Sequence, residues 1–367
     1  MDGSATVTDF VYSYADGGGD TALRQSVDVL DAGSGDTHTV EYDYDARDRL
    51  VAAVTRDSSG GVVQDRSFGY DAAGNRTSTT VDGDTTSASF NAANQLTQSG
   101  STTFTYDDAG NLTGTSDGSA LGYNTADQTT TIRPDSSSGT DSAAYAGDGQ
   151  FDRTSLGGAT FDATLLGVTR RGGPDGQAYV RDPAGSLLGV RDGADRAYAL
   201  TDALGSVVAT TDSTGGVDQR FDYTPYGDTT ATQGTIDTPW RFTGEYQDAA
   251  TGMYKIGIRY YQPTHGRWTQ PDPALSVAKA DFANTYLYAN ACPTNYTDPT
   301  GAISKCALGG TALAVAGAIT SGIAVPVILA GYIGTVFTAA AAAQAAVAIG
   351  AATSPFAIAG IVLGLFC

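Results

Sequence analysis

Asp272-Pro273 and Asp298-Pro299, like Asp182-Pro183, set a carboxylate before a proline, and carboxylates are the side chains of this sequence most available for acid–base chemistry. Two carboxylates held close together cannot both ionise freely. One keeps a proton at neutral pH while the other acts as a base, an arrangement able to activate water against a carbonyl. Proline biases the residue before it to extended backbone, which helps to fix where each Asp side chain points. By spacing alone each dipeptide is equally an ordinary turn opener, and only a fold can bring the two together. Other chemistries find less support. Two histidines (His38, His265) and three cysteines (Cys292, Cys306, Cys367) show no zinc or catalytic-triad spacing. Cys292 lacks a nearby histidine and reads as a packed thiol. Aspartates recur along the chain without the every-second-residue pattern of calcium loops, so they read as turn formers, and no metal or cofactor is expected.

The elements that position such groups come from the rest of the chain. Its 367 residues carry 40 Asp+Glu against 20 Lys+Arg, a formal charge of −20, which repels phosphate and argues against nucleic-acid binding. Hydrophobic residues at 41% and charged residues at only 16% separate it from disordered chains. Twenty Tyr and 12 Phe, with abundant Thr, lean towards strands. The N-terminal MDGSATVTDF has no basic region followed by an apolar run, so no signal peptide is visible.

Charge is distributed unevenly. Every charged residue lies at or before Lys305, and 306–367 contain none. About 20 apolar residues suffice to cross a bilayer, so the tail is predicted to form two transmembrane helices, about 307–334 and 338–366, kinked at Pro326 and Pro355. Small residues one helical turn apart, such as Ala314/Ala318/Gly322 and Gly360/Gly364, suit close helix contact in lipid. A buried helical pair in a soluble fold is the alternative.

A repeated unit fills the first two thirds. It joins aromatic residues to an Asp or Asn and a small turn, and the chain then re-enters through an apolar or polar pair. Copies are Tyr42-Asp43-Tyr44-Asp45-Ala46-Arg47-Asp48-Arg49-Leu50, Phe68-Gly69-Tyr70-Asp71-Ala72-Ala73-Gly74-Asn75-Arg76 and Phe104-Thr105-Tyr106-Asp107-Asp108-Ala109-Gly110-Asn111-Leu112. Weaker copies begin at Phe90, Tyr123, Asp182 and Asp202. Phe-x-Tyr places both rings on one strand face. Asp bonds its own turn, and Gly or Asn a few residues later tolerates positive φ. Each unit is thus a β-hairpin that must stack on its neighbours to bury its rings.

This unit resembles the YD repeat of the Rhs and teneurin-like family, whose repeats coil into a β-sheet shell. Residues 240–302 resemble the Rhs repeat-associated core. They carry Arg241-Phe242-Thr243-Gly244-Glu245, Asp248 with Thr251-Gly252, Arg259-Tyr260-Tyr261, Gly266-Arg267-Trp268, Asp272-Pro273 and Asp298-Pro299-Thr300-Gly301. The expected organisation is mainly β: repeats over 1–239 forming a partial shell, a core over 240–302 closing it, and a helical hydrophobic hairpin over 303–367.

The resemblance implies an aspartic-type self-cleaving core that cuts just after Asp-Pro-x-Gly. Carried over, Asp272 and Asp298 are the carboxylates, Arg259 the supporting cation, and Ala302–Ile303 the cut bond. Ala302 stands where the family pattern continues with Leu. Two functional expectations follow. One is a carrier whose C-terminal segment is a membrane-active or pore-forming effector, paired with an immunity protein or a longer shell chain. The tail has no acid–base side chains for enzymatic chemistry. The other is an uncut cell-surface adhesion protein anchored by its tail. Both place the protein outside the cell or in the envelope, touching membrane lipid through residues 306–367.

Overall fold

The computed structural model describes residues 8–302, apart from 17–18, 32–35, 148–152, 165, 173–175, 233 and 274–283, together with the backbone of Lys305–Cys306. The chain divides into Met1–Gly310 and Thr311–Cys367. The two helices expected over 307–334 and 338–366 lie outside the described residues. Among the described residues no helix is long and apolar enough to cross a membrane.

The described part is all β apart from short 3-10 turns. From Asp9–Ser13 to Thr229–Ala231, 22 strands among the described residues form one antiparallel ladder. Each strand pairs with its sequence neighbours, as Asp36–Tyr44 does with Leu50–Asp57, and that strand in turn with Val62–Tyr70. Local turns suffice to build such a meander.

The repeat chemistry is visible at alternate turns of the meander. Asp71 Oδ1 accepts the Asn75 N–H at 2.9 Å while Gly74 N–H, at φ +84°, returns to the Asp71 carbonyl. Asp107 holds Asn111 in the same way at 2.8 Å, and Asp182 and Asp202 hold Ser186 and Ser206. These carboxylates close their own turns, as the turn-forming reading expects. Where a tyrosine precedes the turn, it has a separate task. Tyr70 donates to the Leu50 carbonyl, Tyr123 to that of Leu112, Tyr145 to that of Thr129 and Tyr223 to that of Val207. In each pair the acceptor is the first residue past the previous turn at the same end of the meander. Tyrosine thus ties one repeat to the one before it, and Asp closes the repeat itself.

The pairing register slips just before these turns, between Asp43 and Tyr44, Gly69 and Tyr70, Gly122 and Tyr123, and Ala144 and Tyr145. Bulges at regular intervals bend a strand and raise its twist, so the meander curls. Its early strands meet late turns: Tyr12 accepts from the Ala203 N–H, and the Tyr70 and Tyr226 hydroxyls stand 2.6 Å apart.

The core segment lies against the inner face of the repeats. Leu96, Phe104, Leu121, Ile132, Phe161 and Val190 share one apolar cluster with Trp240, Tyr246, Met253 and Tyr260 of this segment. Polar contacts repeat the pattern turn by turn. Asn284 bonds Asn75, Arg267 bonds the Asn94 carbonyl, Tyr286 that of Gly110, and Gln270 that of Asp127. Arginines facing this interface lie over aromatic rings, as Arg153 does over Phe161 and Tyr246 and Arg181 over Trp240. The stacking supports cations removed from water.

Candidate functional site

The site is built on a small antiparallel sheet of Tyr246–Gln247, Tyr254–Ile256, Arg259–Gln262 and Arg267–Trp268. Gly257-Ile258 is the two-residue hairpin loop between its second and third strands, which pair Ile256 with Arg259. Gly257 has φ +48°, and a Cβ there would lie 2.0 Å from the Thr300 carbonyl oxygen. Ile258 N–H donates to that same oxygen at 3.0 Å. A Cβ on Gly301 would in turn meet the Ile256 carbonyl oxygen at 2.5 Å. The 298–302 turn is therefore seated main chain against main chain, with glycine required on both sides.

That turn has the geometry of a repeat turn. Asp298 Oδ1 accepts the Ala302 N–H at 3.1 Å, and Gly301 N–H, at φ +64°, returns to the Asp298 carbonyl at 3.1 Å. The Thr300 hydroxyl also donates to Oδ1 at 3.1 Å. The difference lies in the second carboxylate oxygen. In the repeats it takes a bond from the side chain closing the turn, as Asp71 Oδ2 does from Asn75. At Asp298 it faces Arg259 instead, at 3.2 Å from Nη2.

Arg259 brings the three residues singled out from the sequence into one cluster. Its Nη2 lies 2.8 Å from Asp272 Oδ2 as well as 3.2 Å from Asp298 Oδ2. Its Nη1 donates to the Thr285 carbonyl at 3.2 Å and its Nε to the Gly301 carbonyl. One planar fork thus holds both carboxylates and the main chain one residue before the expected cut, which the point charge of a lysine cannot do. Asp272 is set in place by its own N–H, which bonds the Thr285 carbonyl at 2.9 Å.

Burial differs across the cluster. The side chains of Arg259 and Asp298 are 2% and 1% exposed, whereas Asp272 is 25% exposed. Burial pushes the Arg259 pKa below its usual value, and Asp272 and Asp298 oppose the shift. Glu245 stands nearby. Burial pushes its carboxyl up to about 8, Arg181 and Lys255 pull it down, and Asp298 adds to the rise. Cys292 is a buried thiol raised to about 12, mainly by burial, with Asn295 Nδ2 at 3.3 Å from its sulfur. That is a packed thiol rather than a nucleophile. Ala302 is half-buried; the side chain of Ile303, on the other side of the expected cut, lies outside the described residues.

Sequence reasoning passed over three parts of this cluster. Gly257 and the Thr285 carbonyl act through the main chain and leave no side-chain signal. Trp268 belonged to a matched motif without a role, yet its ring lies 4.1 Å from Arg259 Cζ.

The chain matches the Teneurin YD-shell family over residues 25–137 and 176–294. It is 42% identical over 85 residues to toxin subunit YenC2 of Yersinia entomophaga, covering 22% of this chain and 8% of that protein. It is 30% identical over 255 residues to the tRNA3(Ser)-specific nuclease WapA of Bacillus spizizenii, covering 64% of this chain and 11% of that one. A solved TcdB2-TccC3 structure aligns with 80% of this chain and 21% of that one, at 18% identity and a TM-score of 0.40. The chain thus spans about a tenth of these curated relatives. The match to the repeats and to most of the core segment makes this chain a member of the Teneurin YD-shell family.

Proposed function

We propose that residues 8–302 form the shell-and-core part of an exported toxin carrier, and that the core cuts its own chain between Ala302 and Ile303. The observation that carries this reading is the Arg259 fork, which gathers Asp272 and Asp298 through one nitrogen and reaches the Gly301 carbonyl through another. Relatives named as a toxin subunit and as nucleases support the carrier role.

The geometry divides the labour between the two carboxylates. Asp298 accepts from Arg259, Thr300 and Ala302, so its role is to hold the turn rather than to donate a proton. Asp272 is the more open carboxylate and the one water can reach. It takes a proton from water as the water oxygen bonds to the Ala302 carbonyl carbon. Arg259, already bonded next door, offsets the negative charge that develops on the carbonyl oxygen. Asp272 then returns the proton to the Ile303 nitrogen as the C–N bond breaks, leaving a carboxylate at Ala302 and an amine at Ile303.

Downstream, residues 303–367 would be a membrane-active or pore-forming effector segment. The absence of charge after Lys305 supports lipid as its target. An immunity protein or a longer shell chain would be its protein partner. A second reading, an uncut surface protein anchored by its tail, is favoured by Ala302: the short side chain, half-buried, seats the bond less firmly than a Leu would.

The test is intact mass of the full chain expressed in detergent, beside Asp272→Asn and Asp298→Asn. Fragments ending at Ala302 and starting at Ile303 from the parent alone are expected. Three whole chains would refute cleavage and favour the anchored reading.

A further inference from the structure

The Arg259 fork is useful only while its plane is fixed, because three of its nitrogens aim at four acceptors on different chain segments. Those acceptors lie towards the edge of the guanidinium and do not by themselves define what supports its face. The Trp268 ring does, with Cζ 4.1 Å from the ring centre. Both side chains are almost wholly buried, Trp268 being 1% exposed. A cation removed from water gains more from an aromatic face than an exposed one does.

Trp268 is itself tightly held. It pairs with Tyr261 across the sheet, its main-chain N–H donates to the Tyr286 carbonyl at 3.0 Å, and Tyr261 and Tyr288 pack edge-on against its ring at 5.7 and 5.5 Å. Its neighbour Thr269 bonds Tyr260 through its N–H and Leu112 of the repeats through its carbonyl. The Trp268 main chain is thus tied to the core sheet and, through Thr269, to the repeats, while the rings of Tyr261 and Tyr288 flank its indole.

We infer that Trp268 is a positioning residue: it fixes the plane of the Arg259 guanidinium, and so sets the reach of that fork onto both carboxylates and the 298–302 turn. The inference rests on the self-cleavage reading for its kinetic consequence, but not for the contact itself.

The variants are Trp268→Phe, which keeps an aromatic face, and Trp268→Leu, which removes it. Cleavage of the full chain is followed by intact mass, and folding by thermal melting. A merely structural role would lower cleavage in step with melting temperature, whichever residue is present. The positioning role predicts a roughly tenfold or larger slowing in the Leu variant, substantially rescued in the Phe variant, at similar loss of melting temperature. Equal cleavage rates in the two variants would overturn it. A second readout needs no cleavage: in the Asp272→Asn chain the Arg259 side-chain N–H resonances are expected to be shifted upfield by the indole ring, and to lose that shift in Trp268→Leu. An absent shift would overturn the placement. A parent chain that stays whole while the shift is present would refute the cleavage reading and leave the positioning of Arg259 standing.

Discussion

Removing the Arg259 cation should be far more costly than removing it together with the charge it faces. Asp272→Asn serves as the reference, since on the proposed mechanism it leaves the chain whole and reduces the cluster to one buried ion pair, Arg259–Asp298, with side chains 2% and 1% exposed. Adding Arg259→Met leaves the Asp298 carboxylate buried without that cation, and it also removes the fork's bonds to the Thr285 and Gly301 carbonyls. Breaking a buried pair from one side costs about 3–5 kcal/mol. Adding Asp298→Asn as well removes that buried charge and retains an Oδ1 acceptor for the Ala302 N–H and the Thr300 hydroxyl. Most of the loss should then return, leaving the triple variant within about 2 kcal/mol of the reference. Urea unfolding followed by circular dichroism measures all three chains at equal length. A triple variant as unstable as the double one would show that Arg259 acts through packing and neutral hydrogen bonds, and would refute the electrostatic account of the cluster.

Two further outcomes follow from the same structure. Tyr123→Phe deletes the 2.9 Å bond to the Leu112 carbonyl that links adjacent repeats, and should cost about 1–2 kcal/mol in urea unfolding; Tyr198→Phe, at a side chain 47% exposed, should cost almost nothing. Equal losses would remove the repeat-to-repeat role from the tyrosine. Glu245 is raised to about 8 by burial from an ordinary value of 4.5, so the folded state binds its proton more tightly than the unfolded chain does. Its contribution is complete below pH 4.5 and is lost as pH rises towards 8. In the uncut Asp272→Asn background, Glu245→Gln should therefore flatten the fall in stability across that window, by on the order of 2–4 kcal/mol once partial exposure of the side chain is allowed for. Parallel pH profiles with and without Glu245 would contradict the shift.

Much of this architecture is legible in the sequence. Phe-x-Tyr alternation gave rings on one face, and Phe104 is buried with Tyr106 packed on the same cluster. Asp with a following Gly gave turns, and Asp71–Asn75 and Asp107–Asn111 close as expected. The tie from each tyrosine to the preceding repeat was not legible, because its acceptor is a main-chain carbonyl that any residue offers. The curling of the meander was hidden for a similar reason: the bulges before Tyr44, Tyr70 and Tyr123 are properties of register, which depends on both strands of a pair.

The candidate site divides along the same line. Asp272, Asp298 and Arg259 were named by motif, and their residue types alone made carboxylate chemistry an option. What they do together was decided by tertiary structure. The Gly257-Ile258 loop seats the 298–302 turn, Thr285 orients Asp272, and Trp268 lies beneath the guanidinium. Local sequence determines which turns and strands form, because those depend on backbone preferences and hydrogen bonds a few residues apart. Whether two distant carboxylates share one nitrogen depends on how separate segments pack, and that was decided by the folded core alone.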